Sequence, residues 1–391
     1  MEIRPLFPKY EFKERYERAR KAMEKAGLDA LIAFQPGDVF WLTGYDDNSS
    51  VSGRQFPTLS YMVHPRVILP LEGDPVLIGF GPGEEAYTKL TWVKNFRSHI
   101  LENERPGVIK DALEDLKCSR GKIGIDLSNY PTITAPEFDA LKKQLSNCEF
   151  NDASKLFHDL RAIKSENEIA YIKTAAAIQD RAYSKFLTRI DIGDTETSIM
   201  STMFQCQIES GATEIGFTQI YSHPIYLWMR PTDPNRVYKK NDLLLIDTGS
   251  TYKGYRSDFN RYFAFGDSTP DQESFIKATA KFYNEALRFF DVGKSVLESS
   301  KLALALFKKY KMKNYLEPHL FTGHSMGYDI FEQPVFGTWA AAELKLEPNM
   351  VITIEYFVPS KWGPMLYEED FVVREDALDQ ISFFPNEIHV V

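Results

Sequence analysis

Cysteine is scarce in this chain. Cys118, Cys148 and Cys206 are an odd number of thiols, widely spaced and without a CxxC pair, which argues against a disulfide framework and for reduced thiols. No apolar run approaches the ~18 residues that a membrane span needs. The opening segment MEIRPLFPKYEFKERYERARK is charged from its first residues and has no apolar signal core. The expectation is a cytoplasmic protein with no membrane partner. A net charge of −9 with no local basic cluster gives no nucleic-acid footprint. The acidic balance favours solubility and is compatible with cation binding. Low-complexity segments and short-period repeats are also missing.

What is present is an ordinary globular composition, 43% hydrophobic and 26% charged over 391 residues, a length that predicts two domains. Residues 11–26 read as a helix stopping at Gly27. LDALIAF (28–34) reads as a buried strand, and VFWLTGY (39–45) and residues 61–80 continue a strand pattern with a turn at Glu72-Gly73-Asp74. KIGIDLS (122–128) is a further strand and APEFDALKKQL (135–145) a helix. Strands alternating with helices predict an α/β domain over 1–160. The second domain, 161–391, opens with a long amphipathic helix from Ser165, whose Ser-Glu-Asn-Glu start fits a capping box. Strands then dominate (LLLIDTGS, YRSDFNRYFAFGD, MVITIEYFV, EDFVVRE), with helices at 194–210, 270–291 and 294–311. The expected class is α+β with antiparallel strands.

Acidic residues inside apolar strands carry the chemistry. LLLID ends at Asp247, a turn holds Lys253-Gly254, and the next strand carries Asp258. A hairpin centred between Tyr252 and Lys253 sets the two acids face to face. Glu355 in VITIEYFV and Glu369 in MLYEEDFVV face each other likewise if their turn centres on Trp362. Facing buried carboxylates repel unless positive charge sits between them. His324, in TGHSMG, lies between the two pairs in sequence. Four carboxylates and one imidazole suit Mn, Fe, Co or Zn.

An Asp, a second Asp eleven residues later, a GHxxG histidine, a Glu in a TIE strand and a Glu-Asp pair together resemble the creatinase/prolidase/aminopeptidase P/methionine aminopeptidase family. NRYF, LRAIKSENEIAYIKTAAAI and DVFWLTGY match further family stretches. The resemblance covers most of the chain. It implies a pita-bread catalytic domain behind a smaller α/β creatinase-type N-terminal domain. It also implies two divalent metal ions on Asp247, Asp258, His324, Glu355 and Glu369, with Asp258 and Glu369 bridging. The implied reaction is metal-dependent hydrolysis of a C–N bond, an amide or Xaa-Pro peptide, in a small molecule or dipeptide, with Glu355 as base. A homodimer is the implied assembly, with Arg54 supplied by the partner.

The chain departs from the family at two non-ligand histidines. In GHSMGYDIFEQP, Phe331 stands where an HExP histidine is expected, and in HPIYLWMRPTDPNR, Trp228 falls on the other. An aromatic wall suits an onium cation through cation–π contact, with Arg230 and Arg54 as carboxylate clamps. This admits an alternative, a lyase acting on a small cationic carboxylate such as dimethylsulfoniopropionate. Asp329, Tyr221 and His223 are then candidate acids or bases, and Tyr328 and His319 candidate substrate contacts. His223 and His319 also read as hydrogen-bonded structural histidines. A third reading is a non-catalytic binding protein on the same fold.

Overall fold

Sequence punctuation places most of the elements. The computed structural model describes residues 5–46, 64–128, 133–222, 232–313 and 316–391. Two compact units, Met1–Arg161 and Ala162–Val391, emerge from the chain's contacts.

In the first unit, helix Lys9–Ala26 stops at Gly27, which takes the left-handed conformation. Strands β1 (Ala30–Ala33), β2 (Arg66–Pro70), β3 (Val76–Phe80), β4 (Asn95–His99), β5 (Lys122–Ile125) and β6 (Glu149–Asp152) form one sheet, ordered β4-β3-β2-β1-β5-β6. Its β1 is buried on both faces: Leu31 and Ala33 pack into one core and Ala30 and Ile32 into another, as period-two alternation requires. The strand expected over 39–45 is instead the end of helix Pro36–Thr43. Pro36 is pre-set for the first helical turn and Gly44 closes the helix in the left-handed region. These caps outweigh the β-rich composition of VFWLT.

The second unit opens with helix Glu166–Leu187. Ser165 accepts from the Glu168 N–H and the Glu168 side chain accepts from the Ser165 N–H, the reciprocal pairing its sequence predicts. Helices Glu196–Glu209, Pro270–Leu287 and Val296–Lys309 fall in the expected windows. The strands are β7 (Thr218–Ser222), β8 (Leu243–Thr248), β9 (Thr251–Tyr252), β10 (Tyr255–Arg256), β11 (Phe259–Ala264), β12 (Phe321–Ser325), β13 (Glu332–Gly337), β14 (Val351–Ser360), β15 (Gly363–Val373), β16 (Leu378–Gln380) and β17 (Ile388–Val390). One sheet runs β17-β11-β8-β7, another β13-β12-β14-β15-β16, and β9 and β10 form a separate ribbon. A core of Leu245, Tyr262, Phe282, Tyr283, Ile354 and Tyr356 fills this unit.

Two turns set the registers that matter. Lys253 and Gly254 both have positive φ, 51° and 81°, as a two-residue type I′ hairpin demands. The hairpin therefore centres one position later than expected. Asp247 pairs with Asn260, not Asp258, and Tyr252 with Tyr255. A two-residue offset keeps faces, so Asp258 still points to the side of Asp247. The second hairpin turns at Lys361-Trp362, with Ser360 opposite Gly363. Here the offset is one residue, which reverses the faces of the whole strand. Glu355 therefore pairs with Glu368, and Glu369 lies opposite Ile354.

Gly323 holds β12 tight against β14. Its φ is +134°, and a Cβ there would stand 2.1 Å from the Thr353 carbonyl oxygen. Gly323→Ala is expected to destabilise the chain by roughly 2 kcal/mol or more, through φ strain and backbone collision together. Gly293→Ala, at φ +74° with nothing within 4 Å, should cost about 1 kcal/mol. Thermal denaturation of both variants checks the contrast, and equal losses would contradict it.

Candidate metal centre

Asp247 at the end of β8, Asp258 just before β11, His324 on β12, Glu355 on β14 and Glu368 on β15 are all at least nine-tenths buried. Side-chain ligand atoms of Asp258, His324 and Glu368 lie within 4.8 Å of one another. His324 Nε2 is 3.5 Å from Asp258 Oδ2 and 3.3 Å from Glu355 Oε1. The other ring nitrogen, Nδ1, is 2.9 Å from the Ser325 carbonyl oxygen. A carbonyl only accepts, so Nδ1 carries a hydrogen, and Nε2 is the nitrogen that faces the carboxylates.

The scaffold fixes these groups one by one. Tyr183 Oη lies 3.2 Å from the Ile246 carbonyl and 2.9 Å from that of Phe259, so one buried phenol ties together the strand positions next to Asp247 and Asp258. Glu368 Oε1 accepts from Thr353 Oγ1 at 3.1 Å and Oε2 from Asn260 Nδ2 at 3.3 Å. Asp258 donates its backbone N–H to Asp370 Oδ2 at 2.9 Å. Beneath β12, the Lys164 ammonium donates to Ser325 Oγ at 3.0 Å and pairs with Glu332 at 3.2 Å.

Burial without charge compensation shows in the titration of this cluster. The Asp247 carboxyl is pushed up to about 8, first by desolvation and then by Glu355. Asp258 is raised well above the carboxylate range by burial, then by Asp247 and Glu355. Glu368 is raised likewise by burial, then by Asp258. Asp247 Oδ1 and Asp258 Oδ1 are buried with no hydrogen-bond partner among the described residues. Buried carboxylates gathered around one imidazole nitrogen, two of their oxygens without a hydrogen-bond partner, repel one another unless protons or a cation lie among them. The donor set therefore fits divalent metal.

Glu369, expected as a ligand, is not in this cluster. It pairs with Arg261 at 3.0 Å, accepts from Asn386 at 3.0 Å and bonds to Ser382. The one-residue register difference at the Lys361-Trp362 turn is the physical reason. Glu368 was missed, although it stands next to Glu369 in sequence; counting from a two-residue turn finds it. Asn260, Tyr183 and Lys164 carry no sequence signal that separates them from ordinary strand and helix residues.

The remaining candidates scatter. Tyr221, buried on β7, bonds to Gln219, which lies opposite Asp247. The Tyr328 ring is capped by Arg256 at 5.4 Å. Asp329 donates its N–H to Glu332 at 3.2 Å in the loop after β12. His319 is exposed and meets Trp339 edge-on. Phe331 stands 4.2 Å, ring to ring, from His324. Arg54, His223, Trp228 and Arg230 lie outside the described residues. No helix among the described residues is long and apolar enough to cross a membrane.

The raised carboxyls make the metal-free chain hold more protons folded than unfolded between their ordinary range near 3.8 and about 8. Stability therefore falls as pH rises through that window. Chelator-treated protein is expected to melt at a higher temperature at about pH 5 than at about pH 8, and saturating manganese at the higher pH should remove the difference. A chelated chain more stable at the higher pH contradicts the reading.

Residues 170–375 match the model of metallopeptidase family M24, and residues 15–163 that of the creatinase/prolidase N-terminal domain. The sequence is 23% identical to an ectoine hydrolase of Halomonas elongata, over 98% of each chain. It is also 23% identical to an Xaa-Pro dipeptidase of Pyrococcus furiosus, over 95% of this chain and 98% of the relative. Among solved structures, an X-Pro aminopeptidase from Thermotoga maritima superposes with a TM-score of 0.81 at 20% identity, over 96% of this chain and 99% of the other. The two-domain pita-bread fold is thereby shared.

Proposed function

This chain belongs to metallopeptidase family M24, and from that premise we propose that it hydrolyses a C–N bond of a small substrate, an amide or an Xaa-Pro peptide, at two divalent metal ions held by Asp247, Asp258, His324, Glu355 and Glu368. The observation that carries this reading is the set of buried, mutually repelling carboxylates, with orphaned oxygens and an imidazole nitrogen turned into it. The ectoine hydrolase and Xaa-Pro dipeptidase relatives, matched along nearly the whole chain, support C–N cleavage.

Two divalent ions bound there would supply Lewis-acid charge, polarising a carbonyl oxygen and lowering the pKa of a nearby water. The chain's own groups do the rest. Glu355 is assigned the proton: it takes one from the attacking water and returns it to the leaving nitrogen as the C–N bond breaks. Asn260 and Thr353 each direct one Glu368 oxygen. The Ser325 carbonyl fixes the His324 tautomer, and the Lys164–Glu332 pair anchors the backbone on either side.

A second reading rests on one observation, the phenyl ring of Phe331 beside His324 where relatives are expected to carry a histidine. Without that proton donor, elimination from a small cationic carboxylate competes with hydrolysis. Amine release from proline dipeptides and small amides favours the first reading; an alkene product favours the second.

Glu368→Gln, Asp258→Asn and His324→Ala are expected to lose metal and at least about 100-fold of activity, since ligand loss removes the reaction's charge stabilisation. Glu369→Gln should lower stability through Arg261 while folded protein keeps its metal. Metal per folded chain, measured by elemental analysis, checks the set. Metal lost from the Glu369 variant but retained by the Glu368 variant would reverse the assignment.

A further inference from the structure

A series of aromatic rings runs outward from the carboxylate cluster. Phe331 lies 4.2 Å from His324, Phe321 6.1 Å from Phe331 and Trp339 6.3 Å from Phe321, all as ring centroids. The planes of Phe331 and Trp339 stand within 12° and 16° of that of Phe321. Phe357 approaches Phe321 from β14 at 6.5 Å. It is two residues from Glu355 and shares its face of the strand.

These rings are held in place, yet two of them stay in water. Phe331 is 50% and Trp339 47% exposed. The neighbour of Phe331, Glu332, is buried, bonded to Lys164 and to the Asp329 N–H, which fixes the backbone that presents the phenyl ring. The Trp339 indole lies so close to Gly337 that a Cβ there would meet it at 2.8 Å. A half-exposed phenylalanine and tryptophan, rigidly supported and continuous with a catalytic cluster, offer a ready apolar surface for a bound ligand.

We propose that Phe331, Phe321 and Trp339 form the specificity shelf of this site and select substrates with an aromatic group beside the scissile C–N bond. The proposal rests on the hydrolytic reading above. An aromatic ring is favoured over an onium group for two reasons. The rings nearest the cluster are phenyls, which attract cations less than indole does. Divalent ions bound among the carboxylates would also repel a second cation placed beside them.

The test separates binding from turnover. N-acetylphenylalanine amide and N-acetylalanine amide are titrated into metal-free protein by calorimetry, with tryptophan fluorescence as a second readout. Wild type is expected to prefer the phenyl ligand by roughly tenfold, the size of one aromatic contact with its apolar burial. Trp339→Ala and Phe331→Leu should each bring the preference to within about twofold, with circular dichroism unchanged. The ring contacts of Trp339 are with His319 and Phe321 and not with the four acids or the imidazole of the cluster, so its variant also keeps its metal. With metal restored, the ratio of kcat/KM for Phe-Pro over Ala-Pro should fall in the Trp339 variant through KM, with kcat unchanged. If neither dipeptide is cleaved but the phenyl preference and its loss in the variants hold, the hydrolytic reading fails and the shelf stands. Equal binding of the two amides by wild type, a preference that survives both substitutions, or, with metal restored, tighter binding of a trimethylammonium ligand than of the phenyl amide would overturn the proposal.

Discussion

Four carboxylates and one imidazole are buried together where two β-hairpins meet, and the catalytic unit is organised around tolerating them. Leaving one ion uncompensated in a protein interior costs several kcal/mol, so four adjacent acids demand protons or bound cations. The raised carboxyls of Asp247, Asp258 and Glu368 show the first solution, and divalent metal is the second. Tolerating the cluster needs a rigid frame. Tyr183 locks the two strands of the first hairpin, Gly323 brings β12 close to β14, and Asn260 links the hairpins by reaching Glu368.

Much of this was legible in the sequence because it rests on local chemistry. The capping box at Ser165, the left-handed stop at Gly27 and the acids in otherwise apolar strands all act through neighbours within a few residues. Asp247, Asp258, His324 and Glu355 stand out since an acid or histidine in such a strand needs a reason. Register was harder. It depends on which residues make the turn, and a hairpin centred half a residue away moves every side chain to the other face. That shift separates Glu369, held by Arg261, from Glu368 in the cluster. The helix over Pro36–Thr43 was missed for a related reason: its end caps decide the conformation against the composition between them. Tyr183, Lys164 and Asn260 owe their roles to tertiary contacts that no spacing encodes.

One side of the cluster is polar and fully tied into the strands; the other opens onto phenyl and indole rings. Phe331, 4.2 Å from His324, puts a phenyl ring on that side.

The most direct measurement is the metal content of the protein purified without chelator. The account predicts about two equivalents of manganese, iron, cobalt or zinc per chain, as a paired site of five ligands requires. A value near zero that added metal does not raise would contradict it, leaving the buried carboxylates compensated by protons alone.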